Sequence, residues 1–150
     1  MKCAELIEEA PEALGEQQND LNAGAIRLPE GLLGFEKVKD YLLLSNPEEA
    51  PFLWLKMEAD PNLAFVVVEP SLAVPDYRPE VQDDDAKSLE IQDPTEAMLL
   101  NIVTVHRDGT ATVNLKGPIV VNRRTGLGKQ VIPLNAAEFQ LQHPLTAVSR

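Results

Sequence analysis

The chain has 150 residues, of which 44% are apolar, with 24 acidic and 13 basic side chains and a formal net charge of −11. That length and apolar share fit one domain with a real core, while the charge argues against phosphate-rich surfaces such as RNA, DNA or anionic membranes as partners of the protein as a whole. Cys3 is the only cysteine, which excludes an intramolecular disulfide and leaves no second thiol for a metal site; the N-terminus lacks an apolar signal core and no run approaches the ~18 apolar residues of a membrane span, so the expected location is the cytoplasm.

Residues 1–25 are rich in Ala and Glu, but Pro11 and Gly15 interrupt any helix and few apolar residues recur at helical spacing. They read as a flexible acidic tail. From Ile26 to residue 145 the chain reads as a single domain, since no repeat, low-complexity tract or linker divides it, and 146–150 form a short C-terminal tail. Ile26 and Leu28 open a strand, and LPEGLLGFE (28–36) follows with Gly31 and Gly34 placed for a tight backbone path. Tyr41 to Leu44 is a second strand. Phe52–Met57 and Leu63–Val68 are apolar at both parities, as strands covered on both faces are, and Asp60-Pro61-Asn62 turns between them. Trp54 lies inside the first arm and reads as core.

The window 76–96 is of another kind, with eight acidic and two basic residues. PDYRPE (75–80) is too rich in proline for a central strand. Asp83, Asp84 and Asp85 suit the positive end of a helix dipole, so a short helical turn is expected near residues 83–91. The window is either a solvated loop and helix or a face for a basic partner.

Leu99 to His106 alternates as a strand, and Asp108-Gly109 is a strong hairpin signal. A two-residue loop there places Arg107 opposite Thr110, His106 opposite Ala111, Thr104 opposite Val113 and Ile102 opposite Leu115. Gly117-Pro118 then predicts a bulge or an edge position. Beyond it, Ile119-Val120-Val121 and Val131-Ile132 flank a basic, glycine-marked loop over 123–129, as a long-looped hairpin does. The expected fold is therefore all-β: a compact, barrel-like antiparallel sheet built from hairpins.

Catalytic and metal-binding constellations are scarce, and the pair Asp83 and Asp85, which has the chemistry of an acid and base or a cation site, is more often helix capping and solvation. His106 and His143 share no ligand spacing, no serine lies in a nucleophile elbow, and Gly126-Leu127-Gly128-Lys129 matches only part of a phosphate-binding loop, with Gln130 where a magnesium-holding Ser or Thr would stand. No cofactor is implied.

LPEGLLGFE at 28–36, PFLWLKMEADPNLAFVVVEP at 51–70, PDYRPE at 75–80, NLKGPIVVNRRTGLGKQVI at 114–132 and HPL at 143–145, in that order, resemble the FliW family of flagellar assembly factors. The resemblance implies a barrel-like all-β fold and a non-enzymatic role. Members of the family bind CsrA, an RNA-binding translational repressor, and relieve its silencing of flagellin mRNA. They also bind flagellin, so the resemblance implies a chaperone-like partner switch. An N-terminal tail of about 25 residues is longer than the family core needs. Candidate partner contacts are Asp76, Tyr77, Glu80, Asp83, Asp84 and Asp85 in the acidic window, Arg123, Arg124 and Lys129 in the basic loop, and His143. The alternative is a small β-barrel that binds nucleic acid through the loop 123–129, although that loop has no aromatic side chain for stacking bases.

Overall fold

The structure, a computed structural model, describes residues 24–60 and 62–145. The expected tails therefore lie outside the described residues, except that Gly24 and Ala25 already belong to a strand. Among the described residues nine strands run in chain order: β1 (Gly24–Arg27), β2 (Asp40–Ser45), β3 (Phe52–Met57), β4 (Ala64–Val68), β5 (Ala97–Val105), β6 (Ala111–Val113), β7 (Ile119–Asn122), β8 (Gly128–Gln130) and β9 (His143–Pro144). Two short helices, α1 (Pro70–Ala73) and α2 (Asp83–Ser88), fill the connection from β4 to β5.

All strand pairs are antiparallel, in the order β1-β2-β3-β4-β5-β6-β9, with β7 also on β5 and β8 on β7. The long strand β5 is the hub. It pairs with β4 over Asn101–Val103, with β6 over Val103–Val105 and with β7 over Ala97–Leu100. Every residue of β4 is buried, as expected of a strand covered on both faces, but β3 alternates half-buried and buried side chains, and Trp54 on it is half-buried, its indole N–H donating to Glu49 at 2.8 Å; β7 is buried throughout. One core cluster gathers around Leu28, Tyr41, Leu55, Phe65, Ile102 and Ile119, and a second around Val68, Tyr77, Val103, Val113 and Leu115. Each such side chain removed from water contributes roughly 1.5–3 kcal/mol before entropy is counted.

The all-β class holds, but the sheet is not closed into a barrel. Strand β1 returns to the β7–β8 hairpin only through the bridge of Arg27 and Leu127, where Arg27 N–H donates to the Gly126 carbonyl at 2.9 Å. A four-residue strand meeting a turn has no room for a ladder. The approach is nonetheless close. Gly126 sits at φ +79°, and a Cβ there would come within 2.7 Å of the Ala25 carbonyl oxygen.

Two hairpins differ from the sequence expectation. In the β5–β6 pair, Thr104 faces Thr112 and Val105 faces Ala111, one residue away from the predicted register. The loop has three residues, because Gly109 N–H donates to the His106 carbonyl, His106 N–H donates to the Thr110 carbonyl, and Gly109 takes φ +91°. That is a turn followed by a left-handed glycine bulge, which shifts the pairing by one. In the β7–β8 pair the second arm is Gly128–Gln130, with Lys129 opposite Val120, so Lys129 lies in a strand and Val131-Ile132 lie beyond it. At Gly117-Pro118, where a bulge or an edge position is expected, the chain instead leaves the strand between β6 and β7. Asn114 Oδ1 accepts from the N–H groups of Lys116 and Gly117 and turns the chain out of β6 before β7 begins.

Candidate protein-binding surface

Six residues make too short a helix to stand alone in water, so α2 must be held by what surrounds it. Gln82 caps it without a side-chain bond, and three aspartates occupy the first turn, where the helix dipole favours them. Its C-terminus is closed by bonds from Glu90 N–H to the Lys87 carbonyl and from Ile91 N–H to the Ala86 carbonyl, with Glu90 left-handed at φ +60°. Leu89 then inserts into a third apolar cluster with Val120 and Val131 of the hairpin region.

Polar contacts fix the same junction. Asn122, at the end of β7, is fully buried. Its Nδ2 donates to the carbonyls of Leu89 at 2.9 Å and Glu90 at 3.3 Å, and its Oδ1 accepts from the N–H groups of Arg124 at 2.8 Å and Thr125 at 3.3 Å. Arg123 N–H donates to the Glu96 carbonyl at 2.7 Å. Lys129 Nζ donates to Asp85 Oδ1 at 2.6 Å and lies 3.8 Å from Glu30 Oε2. The hydrogen bond that Lys129 donates to Asp85, with the charges of Asp85, Glu30 and Asp84, holds the Lys129 ammonium above the ordinary lysine range, against a smaller opposing effect of desolvation.

The three aspartates therefore part company. Asp83 and Asp84 are exposed, whereas Asp85 is buried and bound to Lys129. Tyr77 is buried too: its hydroxyl donates to the Leu115 carbonyl at 2.7 Å and its ring meets Phe139 edge-on at 4.7 Å. It is a core side chain. Asp76 and Glu80 are exposed, as are Arg123 and Arg124, and Arg124 Nε lies 3.9 Å from Glu96 Oε2. His143 is half-buried on β9 opposite Val113. Lys116 spends its ammonium on the Ala136 carbonyl at 2.9 Å. Of the cations of the loop 123–129 that the nucleic-acid reading needs, Lys129 is thus tied to the protein itself.

The segment 78–82 also lies along 132–135, a contact between stretches about 50 residues apart that no local pattern signals. Leu134 N–H donates to the Glu80 carbonyl at 2.8 Å and Gln82 Nε2 to the Ile132 carbonyl at 3.0 Å. Asn135 accepts from Glu80 N–H at 2.9 Å and donates to the Arg78 carbonyl at 3.1 Å. Ile132, expected in the second arm of the hairpin, lies beyond it and is exposed.

Among the described residues there is no group of three or more His, Cys, Asp or Glu that could hold a metal ion, and no helix is long and apolar enough to cross a membrane. Fold and surface together define a class: an all-β protein on one open antiparallel sheet, with an acidic segment fastened across one of its hairpins. The model of the FliW protein family matches residues 10–145, and the chain belongs to that family. The match begins well inside the segment expected to be an extra tail. The chain is 36% identical over 122 residues to a flagellar assembly factor FliW of Natranaerobius thermophilus, covering 80% of each chain. It is 39% identical over 112 residues to one of Leptospira interrogans, covering 73% of this chain and 75% of that one. A crystal structure of a flagellar assembly factor FliW superposes with a TM-score of 0.75 at 31% identity, covering 89% of this chain and 92% of the other. These relatives carry the name of an assembly factor, not of an enzyme.

Proposed function

We propose that this protein serves flagellar assembly without catalysis, by binding a CsrA-type RNA-binding regulator in the cytoplasm and so relieving repression of flagellin mRNA, and by binding flagellin as the competing partner. The observation that supports this most is the distribution of charge in the acidic segment. Asp85 and Glu96 face Lys129 and Arg124, which leaves Asp76, Glu80, Asp83, Asp84, Glu90 and Asp93 exposed. A regulator that binds RNA carries cationic surface, and such a face attracts it and raises the cost of bringing phosphate near.

The test is a titration of the purified protein with CsrA, followed by flagellin. Release of CsrA by flagellin is expected, and a stable ternary complex would contradict a simple switch. Reversing Asp83 and Asp84 to Lys, leaving the buried Asp85 intact, is expected to weaken CsrA binding most at low salt. Unchanged affinity at both low and high salt would remove the acidic segment from the interface.

A further inference from the structure

Val131 and Pro133 are buried, whereas Ile132 and Leu134, which alternate with them, are 53% and 67% exposed. The pair is set in place on both sides of the chain, because its backbone is bonded to Glu80 and Gln82 and anchored again through Asn135. Two aliphatic side chains are held outward on a strip bonded to Glu80 and Gln82, with the exposed carboxylates of Asp83 and Asp84 following Gln82 in the chain and Arg78 the one cation of the bonded segment, which makes a small apolar centre in mainly acidic surroundings, the layout of a protein interface.

We infer that Ile132 and Leu134 are the apolar anchor of this surface, and that it seats a cationic protein segment presenting an apolar side chain next to Lys or Arg. Charge selects that occupant. A second copy of this chain would bring the same acidic surroundings against its own, within a protein of net charge −11. An anionic lipid surface meets the same repulsion. The inference deepens the proposed function and rests on it, since it names where the RNA-binding regulator would dock and adds a hydrophobic contribution that the charges do not supply.

The experiment compares wild type, the double variant Ile132→Ser/Leu134→Ser, and Asp83→Asn/Asp84→Asn, each against purified CsrA by calorimetry at two salt concentrations, with sedimentation of each free protein. Circular dichroism and thermal unfolding confirm that the variants fold. The serine variant is expected to lose roughly tenfold to a hundredfold in affinity at both salt concentrations. The asparagine variant is expected to lose affinity mainly at low salt. Wild-type binding with an unchanged serine variant overturns the anchor while leaving the proposed function standing. A wild type that does not bind CsrA overturns both. A wild-type dimer that the serine variant converts to monomers shows that the pair seats a second copy, and also overturns the inference.

Discussion

The acidic segment 76–96 and the β7–β8 hairpin have opposite charge and opposite kinds of order. Every residue of β7 is buried, and the hairpin is tied into the sheet through β5. The acidic segment has one six-residue helix and a single turn at Pro94–Glu96 capped by Asp93, and takes the rest of its order from outside, through Leu89 against Val120 and Val131, Asn122 on the helix end, and Lys129 on Asp85. Order thus passes from hairpin to segment. A carboxylate that works within this junction cannot at the same time meet a partner, so neighbours in one run of aspartates have different tasks.

Asn122→Ala should cost most. It removes two donors to the end of α2 and the acceptor for the turn at Arg124 and Thr125, all at a fully buried position. Leaving those groups without partners should cost about 3 kcal/mol or more, read from urea or thermal unfolding. Hydrogen exchange at Leu89 to Ile91 should quicken beyond what global unfolding explains. A loss below about 1 kcal/mol would show that the segment is not hung on this side chain.

The ion pair comes next. A double-mutant cycle of Asp85→Ala and Lys129→Met should give a coupling of about 1 kcal/mol, since both side chains are mostly shielded but remain in reach of water. Its pH dependence has a definite sign. Lys129 has a folded-state pKa raised above 10.5, so its contribution is full below that value and is lost as pH rises through the raised one. The coupling should therefore be equal at about pH 7 and about pH 9, and a fall between them would mean that the lysine is not held as described.

How much of this was legible in the sequence depends on the kind of feature. The arms of β3 and β4 were plain, because a run apolar at both parities, a turn and a second such run leave little choice. The register of β5 and β6 was not. Both Ile102 and Val103 are buried, so a slip of one residue exposes nothing and side-chain alternation cannot detect it. Asp108 decided the matter locally, by accepting from the Thr110 N–H and hydroxyl, bonds that also hold its carboxyl below the usual range. Asp85 left a fainter trace. It stands one helical turn before Leu89, which marks the inward side of α2, while Asp83 and Asp84 have no apolar residue at that spacing. Tyr77 sat among prolines and charges, so its burial against Leu115 and Phe139 depends on contacts far away in the chain.

The weakest point of the junction is Glu90, and changing it should strengthen the fold. Its left-handed φ of +60° costs a non-glycine residue about 1 kcal/mol, and its side chain is exposed. The bonds that close the helix run through its backbone and survive substitution, including the one its carbonyl accepts from Asn122. Glu90→Gly relieves the strain but frees the unfolded chain by roughly 0.5–1 kcal/mol, so the net gain should lie between zero and about 1 kcal/mol. Thermal unfolding checks it. A loss would mean that the Glu90 side chain supports the segment, against the view that its order comes from the hairpin. Stability gained with CsrA affinity unchanged would also set Glu90 outside the binding face, and narrow that face to the end of α2 that carries Asp83 and Asp84.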